Sequence, residues 1–217
     1  MAINLQKGQR IDLRKDNGST LTEFCVGVNW GAIVKKGFFG NSKTDVDLDL
    51  SCVMLNAAKQ PSDHLYSPLY KPEFLQQFGL PPGKLVSNTG ALRHTGDDLA
   101  GDSGGDDGLD NEIITVNLSQ ISPDIDQIFF FLNNVGQEDF SMIPYAKIRM
   151  FEGSPQKVNS VFAEYNVAAE PQFAGKRALI LGKLYKKDSE WKFAAIGDPT
   201  EDGFLGQTIQ RILASYA

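Results

Sequence analysis

The sequence predicts an all-β fold in which two sheets pack as a sandwich, with short helices and a C-terminal amphipathic helix. Runs rich in β-branched and aromatic residues recur along the chain, separated by clusters of Gly, Pro, Asn, Asp and Ser. Residues 45–52 alternate between acidic or polar and apolar side chains, and residues 128–132 are apolar without a break. Helical periodicity is confined to two places.

Strands are expected at residues 10–13, 21–30, 46–55, 113–118, 125–133, 146–151, 161–167, 177–186 and 191–196. In the third, Asp45, Asp47 and Asp49 fall on one face, and Val46, Leu48, Leu50, Cys52 and Met54 on the other. One face then joins a core while the other presents a ladder of carboxylates. The run Ile128-Phe129-Phe130-Phe131-Leu132 suits a central strand covered on both sides. KPEFLQQFG (71–79) has Pro in its first turn and Gly at its stop, which reads as a short helix inside a long connection. Leu205, Ile209, Ile212, Leu213 and Tyr216 follow i, i+4, i+7, i+8, i+11 spacing after Asp202-Gly203. That spacing predicts a helix over about 203–216 whose apolar stripe packs against the body. With no repeat and no low-complexity tail, residues 1–217 read as one domain.

A hydrophobic content of 41% with 22% charged residues argues against wholesale disorder. The formal net charge is −6, and its distribution decides more than its sum. Residues 97–112 hold seven carboxylates, and residues 45–49 hold three more, with no Lys or Arg in either stretch. Removing those ten from the 27 acidic residues leaves 17 against 21 basic ones, so the acidity belongs to two places. No basic stripe interleaved with aromatics appears, which argues against a nucleic-acid partner. The first thirty residues lack an apolar signal region and the longest purely apolar run is five residues, so no membrane insertion is expected. Cys25 and Cys52 fit no metal or redox pattern and read as buried reduced thiols, in keeping with a cytoplasmic protein.

Like charges about 4–6 Å apart repel by roughly 1 kcal/mol each in water-like dielectric, and by more near protein. Seven of them held on a β-framework call for a cation or for raised pKa values. Calcium takes about 6–8 oxygens in flexible geometry, which Asp/Asn/Gly loops supply. Ten carboxylates exceed the needs of one ion, so two adjacent ions are expected. The absence of a Cys/His cluster argues against zinc or copper, and His94 reads as a hydrogen-bonding residue. No EF-hand pattern is present, and GGDDGLD occurs once, not as a repeat.

Five blocks in order carry a resemblance that spans essentially the whole chain: DLDLS (47–51), HTGDDLAGD (94–102), GDDGLDNEIITVNL (105–118), ALILGKLYKK (178–187) and WKFAAIGD (191–198). Together they resemble the TerD family of tellurite-resistance and chemical-stress proteins. The resemblance implies a β-sandwich that binds calcium, two ions, through the acidic loop and the DLD strand. Asp47 and Asp49 match the carboxylates of the family's FDLD strand, and Asp97 matches the Asp of its HTGDN loop. Either Asp106 and Asp107, or Asp110 and Glu112, match the closing GDDE. Asp98 stands where the family has Asn, Ala100 where it has Thr, and Val46 where it has Phe. With Asp102 included, the candidate metal ligands are Asp47, Asp49, Asp97, Asp98, Asp102, Asp106, Asp107, Asp110 and Glu112. The segment 59–84 is longer than usual in the family and is expected to cover or extend the site. The implied partners are other tellurite-resistance or stress proteins, with any association with the cytoplasmic membrane made through them.

Enzyme readings compete with this one. DLDLS superficially fits the DxDx[TS] motif of haloacid-dehalogenase-like phosphatases, which would make the chain a metal-dependent hydrolase of phosphorylated substrates. That motif follows a buried apolar strand of an α/β sheet, whereas Asn41-Ser42-Lys43-Thr44 precede it here and the required helices are absent. A DxD glycosyltransferase fails on the same architecture. Cys52 falls on an apolar face and nothing marks Cys25 as activated, which argues against thiol chemistry. A non-enzymatic, calcium-conditioned interaction module is the reading that remains.

Overall fold

The computed structural model describes residues 3–4, 7–15, 18–37, 40–167 and 171–217. In chain order its strands begin with β1 (Ile3–Asn4), β2 (Arg10–Asp12), β3 (Glu23–Trp30), β4 (Ile33–Gly37), β5 (Gly40–Thr44), β6 (Leu48–Asn56) and β7 (Pro61–Leu65). Helix α1 (Pro72–Gln77) follows, then β8 (Leu92–His94), β9 (Glu112–Asn117), β10 (Ile125–Asn134), β11 (Ala146–Ser154) and β12 (Lys157–Asn166). The chain closes with β13 (Ala178–Lys187), β14 (Glu190–Thr200) and α2 (Leu205–Ser215). One sheet has the order β1-β12-β11-β3-β9-β8, the other β2-β14-β13-β10-β6-β7, and β4 and β5 pair as a separate hairpin. Apart from the parallel β1–β12 pair, the strand pairings are antiparallel.

The all-β sandwich expected from the sequence is the fold observed. The β4–β5 hairpin, β7 and β8 were not among the expected strands, for physical reasons. IVKKG and GNSKT are too polar to show a buried face, PSDHL opens on a proline, and β8 is three residues long. Each is ordered by pairing with a partner strand, not by its own pattern.

Strand β10 explains why the phenylalanine run is unbroken. Ile128, Phe130 and Leu132 enter the main core between the sheets, while Phe129 and Phe131 enter a second core on the opposite side. That second core is closed by Leu205, Ile209 and Ile212 of α2 and Leu75 of α1. The C-terminal stripe therefore packs on the body as its spacing predicts. Gln207 Oε1 accepts the Gly203 and Phe204 N–H groups at 2.9 and 3.2 Å, satisfying donors at the start of α2. Among the described residues no helix is long and apolar enough to cross a membrane.

One place in the topology positions the site. The β9–β8 edge of one sheet approaches the β6–β7 edge of the other. Strand β7 pairs with β6 only over Cys52–Leu55, so the start of β6 lacks a strand on that side. The side chains of Glu112 and His94 fill the gap. Because Phe130 has no exposed surface and lies in the main core, Phe130→Ala is expected to cost about 3–5 kcal/mol in denaturant unfolding. A loss under about 1 kcal/mol would show that the core tolerates collapse there.

Candidate metal centre

Asp49 lies between Leu48 and Leu50, both of which point into the main core, so its side chain faces the side covered by the helices. Asp47 precedes the strand on the same parity. The carboxylate ladder is therefore graded, not uniformly solvent-facing. Asp45 is exposed and paired with Lys43 at 2.7 Å, Asp47 is half-buried, and Asp49 is only 4% exposed. The loop after β8 brings in Asp97, and Glu112 is the first residue of β9 with no exposed surface.

One ligand oxygen from each of Asp49, Asp97 and Glu112 lies within 4.8 Å of the others. Two oxygens bound at about 2.4 Å to one ion are separated by no more than about 4.8 Å, so the three fit a single hard cation. Two further observations point the same way. Asp47 Oδ1 and Asp97 Oδ1 are buried without a hydrogen-bond partner. Asp97 Oδ2 accepts the Ser67 hydroxyl, and the Tyr70 hydroxyl lies beside Asp49 without a hydrogen bond of good geometry. The segment 59–84 thus does cover the centre, through Ser67 and Tyr70.

The electrostatics are those of desolvated like charges. Burial, then Glu112, pushes the Asp49 carboxyl well above its usual range. Burial, then Glu112, Asp97 and Asp98, raises Asp47 to about 6. Glu112 is raised by burial against the opposing pull of His94 and of the Leu50 and Asp98 N–H groups. A divalent cation reverses this balance, because its own charge is the largest in the site.

His94 acts as the sequence suggests, by hydrogen bonding. Its Nδ1 accepts the Gly96 N–H at 2.9 Å, which leaves the ring proton on Nε2, 3.0 Å from the Leu50 carbonyl and 3.3 Å from Glu112 Oε2. Glu112 Oε2 accepts the Leu50 N–H at 2.7 Å, and Oε1 accepts the Asp98 N–H at 3.1 Å.

The other candidate carboxylates are engaged by protein donors. Asp98 accepts from the Ala100 and Gly101 N–H groups and the Asn111 amide, which hold it below the usual range against its burial. Asp102 accepts from Tyr145 Oη at 2.8 Å and from Asn111 Nδ2 at 3.2 Å. Asp106 is paired with Lys147 and takes the Asn29 amide and Gly108 N–H, so it titrates below the usual range. Asp107 accepts the Leu109 N–H at 2.8 Å. Asp110 is buried against Arg149 at 2.9 Å, and burial still raises its pKa. The acidic loop is thus not left to repel itself, because Lys147 and Arg149 reach it from β11, some forty residues on. Of the nine candidates, the structure gathers Asp49, Asp97 and Glu112, with Asp47 alongside. Ser67, Tyr70 and Asn111 also shape the centre and carry no signal in the sequence of their own.

The match to known proteins is extensive. The family model of the TerD domain matches residues 1–211. The chain belongs to the TerD family. It is 34% identical to stress response protein SCP2 of Bacillus subtilis (strain 168), over 97% of this chain and 99% of that one. It is 31% identical to general stress protein 16U of the same organism, covering 100% and 97%. Tellurium resistance protein TerD of Serratia marcescens is 26% identical over 97% of each chain. The fold resembles the crystal structure of a telluride resistance protein (TerD) homologue from Streptomyces coelicolor A3(2), with TM-score 0.57 and 14% identity over 83% of this chain and 91% of that one.

The raised carboxyls set a pH dependence for the metal-free TerD-family chain. The folded state holds protons that the unfolded chain releases above about pH 4, so this stabilisation is complete below that value. It is lost as pH rises through about 6 and beyond. In EGTA the melting temperature is therefore expected to fall between about pH 5 and 8, and a saturating divalent ion to abolish the fall. A flat profile in EGTA contradicts the clustering of these charges.

Proposed function

We propose that this chain is a calcium-binding stress-response protein that acts without catalysis, its bound ion conditioning a surface for other proteins. The observation that carries the reading is the convergence of Asp49, Asp97 and Glu112 with the unpartnered oxygens of Asp47 and Asp97. These are hard oxygen donors with no sulfur or free imidazole among them, a set suited to calcium. Asp49, Asp97 and Glu112 would hold the tighter ion, with Asp47 beside them. A second, weaker ion would lie at Asp98 and Asp102, where it would displace the Asn111 amide that both carboxylates now share. An ion at the first position ties β6, β9 and the loop after β8 together, which links occupancy to order.

The names of the relatives support the stress-response reading, since they are stress and tellurium resistance proteins. The partners proposed are other proteins of such a cytoplasmic system, with membrane contact only through them. The hydrolase reading of DLDLS finds little support: β6 pairs antiparallel on both sides, and Ser51 has no exposed surface. Loss of a phosphatase activity in Asp47→Asn would restore it.

Calorimetric titration of the purified chain is expected to show two calcium steps, the tighter abolished by Asp49→Asn and the weaker by Asp102→Asn. Asp49→Asn and Asp97→Asn are expected to be non-additive, as for groups sharing one ion. At a hundredfold excess over Kd, calcium adds about 2.7 kcal/mol of stability. An equal gain in melting temperature from magnesium would remove the claim of selectivity, since magnesium demands a tighter octahedral cage.

A further inference from the structure

Beside the acidic triad lies a cavity of about 720 Å³, reached between the start of β6, the connection after β7 and helices α1 and α2. Its volume falls in the range of small-molecule sites. Its walls differ in character. Asp47, Asp49 and Asp97 form one end, and Arg177, just before β13, stands at the other. Ala178 pairs with Asn133, which pairs with Asp49, so the two ends are two strand spacings apart, about 10 Å.

Two polar atoms at and near the Arg177 end of the cavity lack partners. Arg177 donates Nη2 to the Gly136 carbonyl, but its buried Nε has no acceptor. Among the described residues no carboxylate lies within ion-pair distance of Arg177. Asn133, between the two ends and only 2% exposed, donates Nδ2 to Thr208 Oγ1 at 2.9 Å and leaves Oδ1 buried and unpartnered. A buried guanidinium edge asks for an oxyanion, and a buried amide oxygen asks for a donor.

The lining also has an aromatic and aliphatic side. Phe204 is surrounded by the rings of Tyr70, Phe74 and Phe78 at 5.5, 6.1 and 5.4 Å. Leu69, Phe74, Leu99 and Val135 stand exposed at the rim, at 65, 49, 54 and 43%. The formal charge of the lining is three carboxylates against Lys71 and Arg177, or −1. The triad also includes Glu112, which brings the formal charge to −2; a divalent ion there turns it to 0 and sets a positive centre facing Arg177, so an anion is repelled without metal and admitted with it.

We propose that this cavity is a metal-gated binding site for a small organic anion: an oxyacid head group with a neighbouring hydroxyl or amide donor, on an apolar body. The head group sits between the ion and Arg177, its donor meets Asn133 Oδ1, and the body lies among Phe74, Phe78 and Phe204. The proposal rests on the metal reading above and extends it to a ligand.

The probe is 3-phenyllactate, an α-hydroxy carboxylate with an aromatic body, titrated calorimetrically into the full chain with calcium and with EGTA. Binding is expected with calcium. It should weaken by roughly thirtyfold or more in EGTA and in calcium-loaded Arg177→Met, as for loss of one partner of a desolvated ion pair. Phe74→Ser, at a half-exposed position, should lower the affinity without changing calcium binding, and lactate should bind more weakly than phenyllactate. Normal calcium binding without phenyllactate binding overturns this proposal alone, whereas absence of calcium binding overturns both readings. Equal affinity for lactate and phenyllactate, or unchanged affinity in both variants, also overturns it. So does calcium-dependent sedimentation with phosphatidylserine vesicles in place of phenyllactate binding, which would make the rim a lipid contact.

Discussion

The peptide group of Leu50 is the point on which the site and the sandwich both depend. Strand β10 satisfies one side of β6, but on the other side β7 begins to pair only at Cys52. The N–H and C=O of Leu50 face that gap, and Glu112 and His94 close it from the opposite sheet. An unsatisfied buried peptide group costs about 1–3 kcal/mol, so the substitution of side chains for a missing strand is a strong constraint. It brings a carboxylate into the interior beside Asp49. The candidate metal centre is thus built from the residues that join the two sheets, and the charge it accumulates is a by-product of closing an edge.

Much of this was legible in the sequence, and the reasons are specific. The phenylalanine run reports burial on both faces directly, whereas the alternation at 45–52 gives the faces of β6 but not their burial, since Asp49 and Ser51 are buried along with Leu48 and Leu50. The stripe in α2 is equally plain. The acidic loop led to the expectation of a cation, and the family motif pointed to Asp47, Asp49 and Asp97, two of which, with Glu112, form the triad that could hold one. What stayed hidden depends on contacts remote in sequence. Nothing in HTGDDLAGDSGGDDGLDNE indicates that Asp106 and Asp110 meet Lys147 and Arg149, or that Asn111 spans Asp98 and Asp102. Counting carboxylates within a stretch overstates the charge left for an ion, because tertiary cations enter no local count.

The loop itself is held by its backbone as much as by its charges. Asp102 N–H and C=O bond to Trp30 and Ala32, and Val46 N–H bonds to Ala100, at 2.9–3.1 Å. The Trp30 indole donates to the Val46 carbonyl at 2.7 Å. Gly101, at φ +68°, lies flat on that ring, where a Cβ would come within 2.5 Å of it. Gly27 serves Asp110 likewise, since a Cβ there would meet its carboxylate at 2.4 Å. Small residues on β3 and the loop therefore let an acidic segment lie closely against a sheet.

Burial at the centre is one-sided. Glu112 is sealed by the two sheets, Asp49 by the second core, and Ser67 and Tyr70 lie across Asp97 and Asp49. Among the described residues, the cavity lined by Phe74 and Phe204 opens onto the triad, so an ion held there would be reached past aromatic rings. Residence time at such a centre is a property of that doorway as well as of the ligand oxygens. Two chains with identical carboxylates but different side chains at 74 and 78 would hold an ion equally tightly and release it at different speeds.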